Sequence, residues 1–212
     1  MKKVFVVALV VAIALIGATA AFATVVGSKH DLSTGTEQIC IFCHTPHAAD
    51  VAKGPLWNRN NQTTTFTFYD IQQSNTATAT ALSTASAACM SCHDGVTAMN
   101  NVLNMPGISG GSLADNSTVS GAANIGNFGG NLTNDHPVGI GYDTAKASLR
   151  TLTSNNASFI KVNSASSVLG DAGEQVGCES CHDVHAGNGG TAGEFMRVTV
   201  DQSAMCLGCH MK

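Results

Sequence analysis

All eight cysteines of this 212-residue chain fall within four copies of one string, Cys-x-x-Cys-His, at 40–44, 89–93, 178–182 and 206–210. Such a string is the attachment site of a c-type haem. Its two thiols form thioethers to the macrocycle, and the adjoining histidine ligates the iron. One copy would be compatible with chance or with a zinc site, but four copies that consume every cysteine are not. An exported chain would also allow four disulfides, a reading that the paired spacing with histidine argues against. The expected cofactors are therefore four covalently bound haem c groups, held by Cys40, Cys43, Cys89, Cys92, Cys178, Cys181, Cys206 and Cys209. The proximal iron ligands are His44, His93, His182 and His210.

The remaining histidines sharpen this expectation. Four of the eight are proximal, which leaves His30, His47, His136 and His185 for the four other axial positions. Supply matches demand, so the expected ligation is bis-histidine throughout, with methionine or water as the alternative at any one site. Two imidazoles leave no open position for a small substrate, and they lack the potential-raising methionine. The chain therefore reads as an electron carrier and not as an enzyme. A reductase acting on a small substrate would need an exchangeable axial position.

Residues 1–23 read as a cleaved signal peptide. Lys2 and Lys3 open it, an apolar stretch covers 4–16, and Ala21-Phe22-Ala23 fits a small-x-small cleavage site. The apolar stretch is shorter than a comfortable membrane span, and no later stretch reads as one, so the mature chain is expected to have no transmembrane segment. Removing Lys2 and Lys3 leaves eight basic against fourteen acidic residues, a formal charge of −6 that excludes nucleic acid as a natural partner. Only 11% of the chain is charged, against roughly a quarter in ordinary domains. A surface so thinly charged is weakly defended against self-association. With one tryptophan, two tyrosines and eight phenylalanines in the whole chain, the haems themselves are expected to form the core.

The ligand order repeats: a free histidine, then CxxCHxxH, then CxxCH. That divides the mature chain into two di-haem modules, 24–115 and 116–212, within one tetrahaem domain. His47 and His185 lie too close in sequence to their own proximal histidines to reach the opposite haem face. The simplest pairing sends His47 to the second string, His185 to the fourth, His30 to the first and His136 to the third. Pro137 biases His136 toward extended backbone, and Pro46 ends any helix through His44. The expected fold is a multihaem cytochrome c, mostly irregular, with a few short helices and minimal strand. Helices are expected over 82–92 and 202–210, the latter capped by Asp201, with a small surface helix over 145–152 and a strand over 195–200. Stretches 107–134 and 155–177 read as long loops. Trp57 reads as ordinary packing near a haem, and Asp94 and Asp183 as solvent-facing, with orientation of the adjoining histidine ring as the alternative.

The flanking residues carry a resemblance. His30-Asp-Leu-Ser, CIFCHTPH at 40–47, Pro55-Leu-Trp-Asn-Arg59, CMSCHDG at 89–95, Asn134-Asp-His-Pro-Val138, CESCHDVH at 178–185 and CLGCH at 206–210 resemble the doubled-CxxCH multihaem cytochromes. In particular they are similar to the exported tetrahaem cytochromes of metal-reducing bacteria that polymerise into extracellular filaments. The resemblance implies haems stacked in close pairs along a filament of this same chain, with one axial histidine donated between subunits. His30 is the first choice for that donor and His136 the second. It also implies other multihaem cytochromes as partners, and metal oxides or electrodes outside the cell as acceptors. The alternative is a monomeric periplasmic shuttle.

Overall fold

A CxxCH string has one economical conformation, a single helical turn. Residues i, i+3 and i+4 share a helix face, so one turn presents both thiols and the imidazole to the same macrocycle. The computed structural model has this turn at every string. It describes residues 25–33, 38–52, 54–60, 64–69, 81–104, 117–126, 129–142, 147–151, 175–185 and 195–211. The signal peptide assigned to 1–23 lies outside the described residues, as does most of the loop assigned to 155–177. The first string occupies a 3-10 turn, Ile39–Phe42. The second ends helix α1, Thr84–His93. The third forms α2, Cys178–Cys181, and the fourth lies in α3, Ala204–Cys209. In the first, third and fourth, the histidine N–H donates to the carbonyl of the first cysteine at 2.8–3.0 Å.

Three of these turns close in the same way. The chain leaves each in extended form and meets a returning segment across an antiparallel bridge: His44 with Trp57, His182 with Met196, His210 with Leu149. The bonds on either side repeat as well. Asn58 N–H donates to Cys43 O at 2.8 Å, Arg197 N–H to Cys181 O at 2.9 Å, and Arg150 N–H to Cys209 O at 2.7 Å. Returning along the other side, Thr45 N–H donates to Leu56 O, Asp183 N–H to Phe195 O, and Met211 N–H to Ser148 O. Leu56 and Phe195 both take positive φ, 60° and 59°. A bulky residue pays for that conformation, and here it turns the return segment back onto the string. The second string differs: its histidine carbonyl accepts from Gly126 N–H at 3.0 Å. A Cβ at Gly126 would stand 2.6 Å from the Asp94 carbonyl oxygen, so only glycine passes so close.

Regular structure is otherwise sparse among the described residues. Strands β1, Ile140–Gly141, and β2, Gln175–Val176, pair antiparallel with Ile140 opposite Val176. Above them lies a small apolar cluster of Ile140, Tyr142, Leu149 and Val176, with Phe68 and Cys209 packed on it. Tyr142 Oη donates within it to Arg150 O at 2.8 Å and to Cys209 O at 3.2 Å. No described helix is long and apolar enough to cross a membrane.

Several local expectations are corrected. α1 starts two residues later than expected, where Ser83 Oγ caps it by accepting from Ser86 N–H at 3.0 Å. Asp201 caps nothing. It opens a 3-10 turn, Asp201–Ser203, in which Gln202 and Ser203 have positive φ, and α3 begins only at Ala204. Residues 147–151 form a turn and a bridge instead of a helix, because Tyr142 and the fourth string hold their backbone. The strand expected over 195–200 is reduced to the single bridge at Met196.

Two wholly buried neighbours, Asn58 and Arg59, 0% and 1% exposed, tie the first string to the second. Asn58 Nδ2 donates to Ile41 O at 2.7 Å and to Asn104 O at 3.0 Å, while its Oδ1 accepts from Asn104 N–H at 2.9 Å. Arg59 donates to Ser91 O, Ala98 O and Met99 O at 2.8–3.2 Å. Removing the amide strands three partly buried backbone groups. Asn58→Ala should therefore cost the haem-loaded protein about 3 kcal/mol, read as a lower denaturant midpoint. An unchanged midpoint would show that this clip carries no stability.

Candidate haem centre

Consecutive strings approach one another through their cysteines. All eight are free thiols, so the disulfide alternative is not what the fold contains. Cys43 lies within the electrostatic reach of Cys92, and Cys181 within that of Cys209. Cys89 and Cys178 are in direct hydrogen-bonding contact, which together with burial pushes the Cys89 thiol well above its ordinary range. Burial likewise pushes Cys43 and Cys181 up to about 11.

The contact between Cys89 and Cys178 is held by a carboxylate. Glu179 accepts from Ser83 Oγ at 2.7 Å and from Ser86 Oγ at 2.8 Å. Ser86 Oγ in turn accepts from Cys178 N–H at 2.9 Å. Ser83 and Ser86 are 1% and 0% exposed. The joint fixes α2 against α1, and hence the third string against the second.

The histidines test whether these residues suit a haem. Two imidazoles on opposite sides of one iron, each at a bond of about 2 Å, place their ring centroids about 6 Å apart. Three pairs meet that spacing: His30 with His93 at 5.8 Å, His44 with His185 at 6.0 Å, and His136 with His210 at 6.4 Å. The proximal rings are also oriented. Nδ1 of His44 donates to Pro55 O at 3.0 Å and Nδ1 of His93 to Ala123 O at 2.7 Å, leaving Nε2 for a metal. His136 Nδ1 bonds locally to Pro137 O at 3.2 Å. The donor set thus fits four thioether-attached haems with histidine on both sides of at least three irons.

The partnering differs from the sequence expectation at each of these pairs. His185 faces the first string and not the fourth, His30 the second and not the first, and His136 the fourth and not the third. Nearness along the chain had suggested the former set. The fold instead brings His185 beside His44, and His30, in the turn at 25–31, beside His93 of the second string. His30 sits in a hydrogen-bonded turn. Ser28 N–H donates to Val25 O, Asp31 N–H to Ser28 O and His30 N–H to Ser28 Oγ, all at 3.0–3.1 Å, and Phe195 packs on the ring at 4.6 Å. Asp31 locks the turn through Ser33 Oγ and Gly27 N–H, which hold its carboxyl below the usual range. His47 and His182 are both exposed.

Asp94 is a further correction. It is fully buried, not solvated. Its Oδ1 accepts from Val96 and Thr97 N–H at 3.0 and 2.8 Å, and its Oδ2 from Thr64 and Thr97 Oγ1 at 2.9 and 2.6 Å. Asp183 is about one-fifth exposed and pairs with Arg197 at 2.7 Å. Trp57 stands edge-on to the His44 ring at 5.8 Å, a packing role with its indole N–H buried and unpartnered among the described residues. Sequence reading had passed over Asn58, Arg59 and Glu179 as site-building residues. Their only signal was position, directly after Trp57 or inside a CxxC.

The family of the doubled CXXCH motif matches residues 171–212, which hold the third and fourth strings. The match supports the multihaem c-type cytochromes as the class of this chain, with covalent haem c and a role in electron transfer. No curated protein matches the chain.

The ring pairs give a direct test of partnering. His185→Met should convert the haem attached at 40–44 to histidine–methionine ligation and leave the haem at 206–210 bis-histidine. Near-infrared magnetic circular dichroism with haem-methyl NMR assignment reads both. Perturbation confined to the 206–210 haem would restore the partnering expected from sequence.

Proposed function

We propose that this chain is an exported tetrahaem bis-histidine c-type cytochrome that carries electrons from haem to haem and polymerises outside the cell into a conductive filament. The observation that carries the electron-transfer part is the three facing imidazole pairs, 5.8–6.4 Å apart, beside four CxxCH turns. In this reading His93 and His30 hold the second haem, His44 and His185 the first, and His210 and His136 the fourth. His47 and His182 then remain for the third. His185 beside His44 already brings the two CxxCHxxH segments together, so the reciprocal pairing is the natural one.

Each bound haem supplies a one-electron ferric/ferrous couple. The protein attaches it, fixes both imidazoles, and closes the axial positions to outside ligands. Adjacent attachment strings favour short hops between neighbours. The filament part rests on the resemblance in the flanking motifs, on the low surface charge, and on exposed apolar side chains such as Val51, Val26 and Val200, 81%, 64% and 56% exposed. Other multihaem cytochromes would load such a filament, and metal oxides or electrodes would unload it.

Haem content and spin state test the carrier reading. The native protein should hold four covalent haems, all low-spin, with a spectrum unmoved by cyanide or carbon monoxide. A high-spin, cyanide-sensitive iron would favour a reductase instead. Electron microscopy of material sheared from the cell surface tests the polymer. Filaments containing this chain are expected. Discrete small particles confined to the periplasmic fraction would favour the shuttle.

A further inference from the structure

The four haem strings do not share one electrostatic environment, because two unneutralised charges are built into the joints between them. Arg59 is 1% exposed, and its guanidinium donates only to backbone carbonyls: Met99 O at 2.8 Å, Ala98 O at 2.9 Å and Ser91 O at 3.2 Å. It makes no ion pair among the described residues. Ser91 lies inside the second CxxC. Asn58, its neighbour, is bonded into the first through Ile41 O and Cys43 O. The cation therefore sits at the joint of the first and second strings.

Glu179 is the opposite case. It lies inside the third CxxC, and its carboxylate is held by two hydroxyls, Ser83 and Ser86, with no cation on it among the described residues. Nearby, Arg197 is already matched by Asp183 at 2.7 Å, so that pair adds little net charge. At the second string the Arg59 cation is opposed by buried Asp94 as well as by Glu179. The charge built into the joint at the first string is thus positive, and that inside the third string negative.

We propose that Arg59 and Glu179 set an uneven potential profile along the chain, Arg59 raising the haem attached at 40–44 and Glu179 lowering the haem attached at 178–182. The inference rests on the tetrahaem reading above. Reduction of ferric to ferrous iron adds one negative charge to a site, so a nearby buried cation favours the reduced state and an anion disfavours it. The logic is that of charge-shifted pKa values, and it is strong where water does not screen it. Of those two sites, the one at 40–44 would then be favoured by an electron shared between them.

The test is potentiometry of the haem-loaded protein, with potentials assigned by haem-methyl NMR. Arg59→Met should lower the 40–44 haem by on the order of tenfold in its one-electron equilibrium, which is 59 mV. Arg59→Lys keeps the charge and should stay near the parent value, although it loses the guanidinium's bonds. Glu179→Gln keeps the shape and should raise the 178–182 haem. Opposite shifts from the two neutral variants, with the lysine rescue, support the proposal. Equal shifts in Met and Lys, or shifts of one sign from Arg59→Met and Glu179→Gln, overturn it in favour of a structural role. If Arg59→Met does not accumulate with haem, the sign from Glu179→Gln and the position of Arg59→Lys decide it. Haem count and spin state, measured on the same parent sample, separate the two failures. Fewer than four low-spin haems would sink the tetrahaem reading and this inference with it, whereas four low-spin haems with unmoved potentials would sink this inference alone.

Discussion

Two sulfurs and an imidazole must face one macrocycle from a single helical turn, and the rest of this chain follows from that demand. One turn is too short to be stable alone, and its last carbonyls lack partners within it. The return segments at 56–58, 195–197 and 148–150 answer both problems with the same pair of flanking backbone bonds. The second string, at the end of the longer α1, needs less help and receives a glycine contact instead. Local backbone chemistry thus accounts for most of the regular pattern in a fold with almost no sheet.

Side-chain packing does a different job here from that in an ordinary core. The most completely buried side chains include Asn58, Arg59, Ser83, Ser86, Ser91 and Asp94, and each that is polar is held by specific donors or acceptors. Such contacts are directional. They fix one string against the next at a defined offset, which apolar packing does less sharply. An apolar cluster of described residues lies beside the fourth string, where Tyr142 adds its hydroxyl to the same task.

The covalent haem motif and the shortage of regular structure among the described residues were legible in the sequence, because covalent attachment writes its requirements into adjacent residues. The partnering of histidines was not. It depends on which loops are brought side by side, and a chain this poor in periodic segments gives no local sign of that. Asp94 was misread for a related reason: a carboxylate after a proximal histidine is usually solvated, and only the fold brings Thr64 and Thr97 to it. The repeat of the return segments was also hidden. Leu56-Trp57-Asn58, Phe195-Met196-Arg197 and Ser148-Leu149-Arg150 share backbone bonds but hardly any letters.

The placement of His185 against His44 has a temporal side. In the proposed ligation, the haem nearest the beginning of the chain waits for a histidine that lies beyond the second and third strings. In the proposed exported protein, haem is attached only after the chain has crossed the membrane, so emergence from the amino end would leave that first site half-made until most of the polypeptide has followed. Through that interval its iron would carry an exchangeable position that the finished molecule lacks. The order of emergence would then set when the first haem becomes inert to outside ligands, and a partner that shields the emerging chain would have the most to protect at its first string.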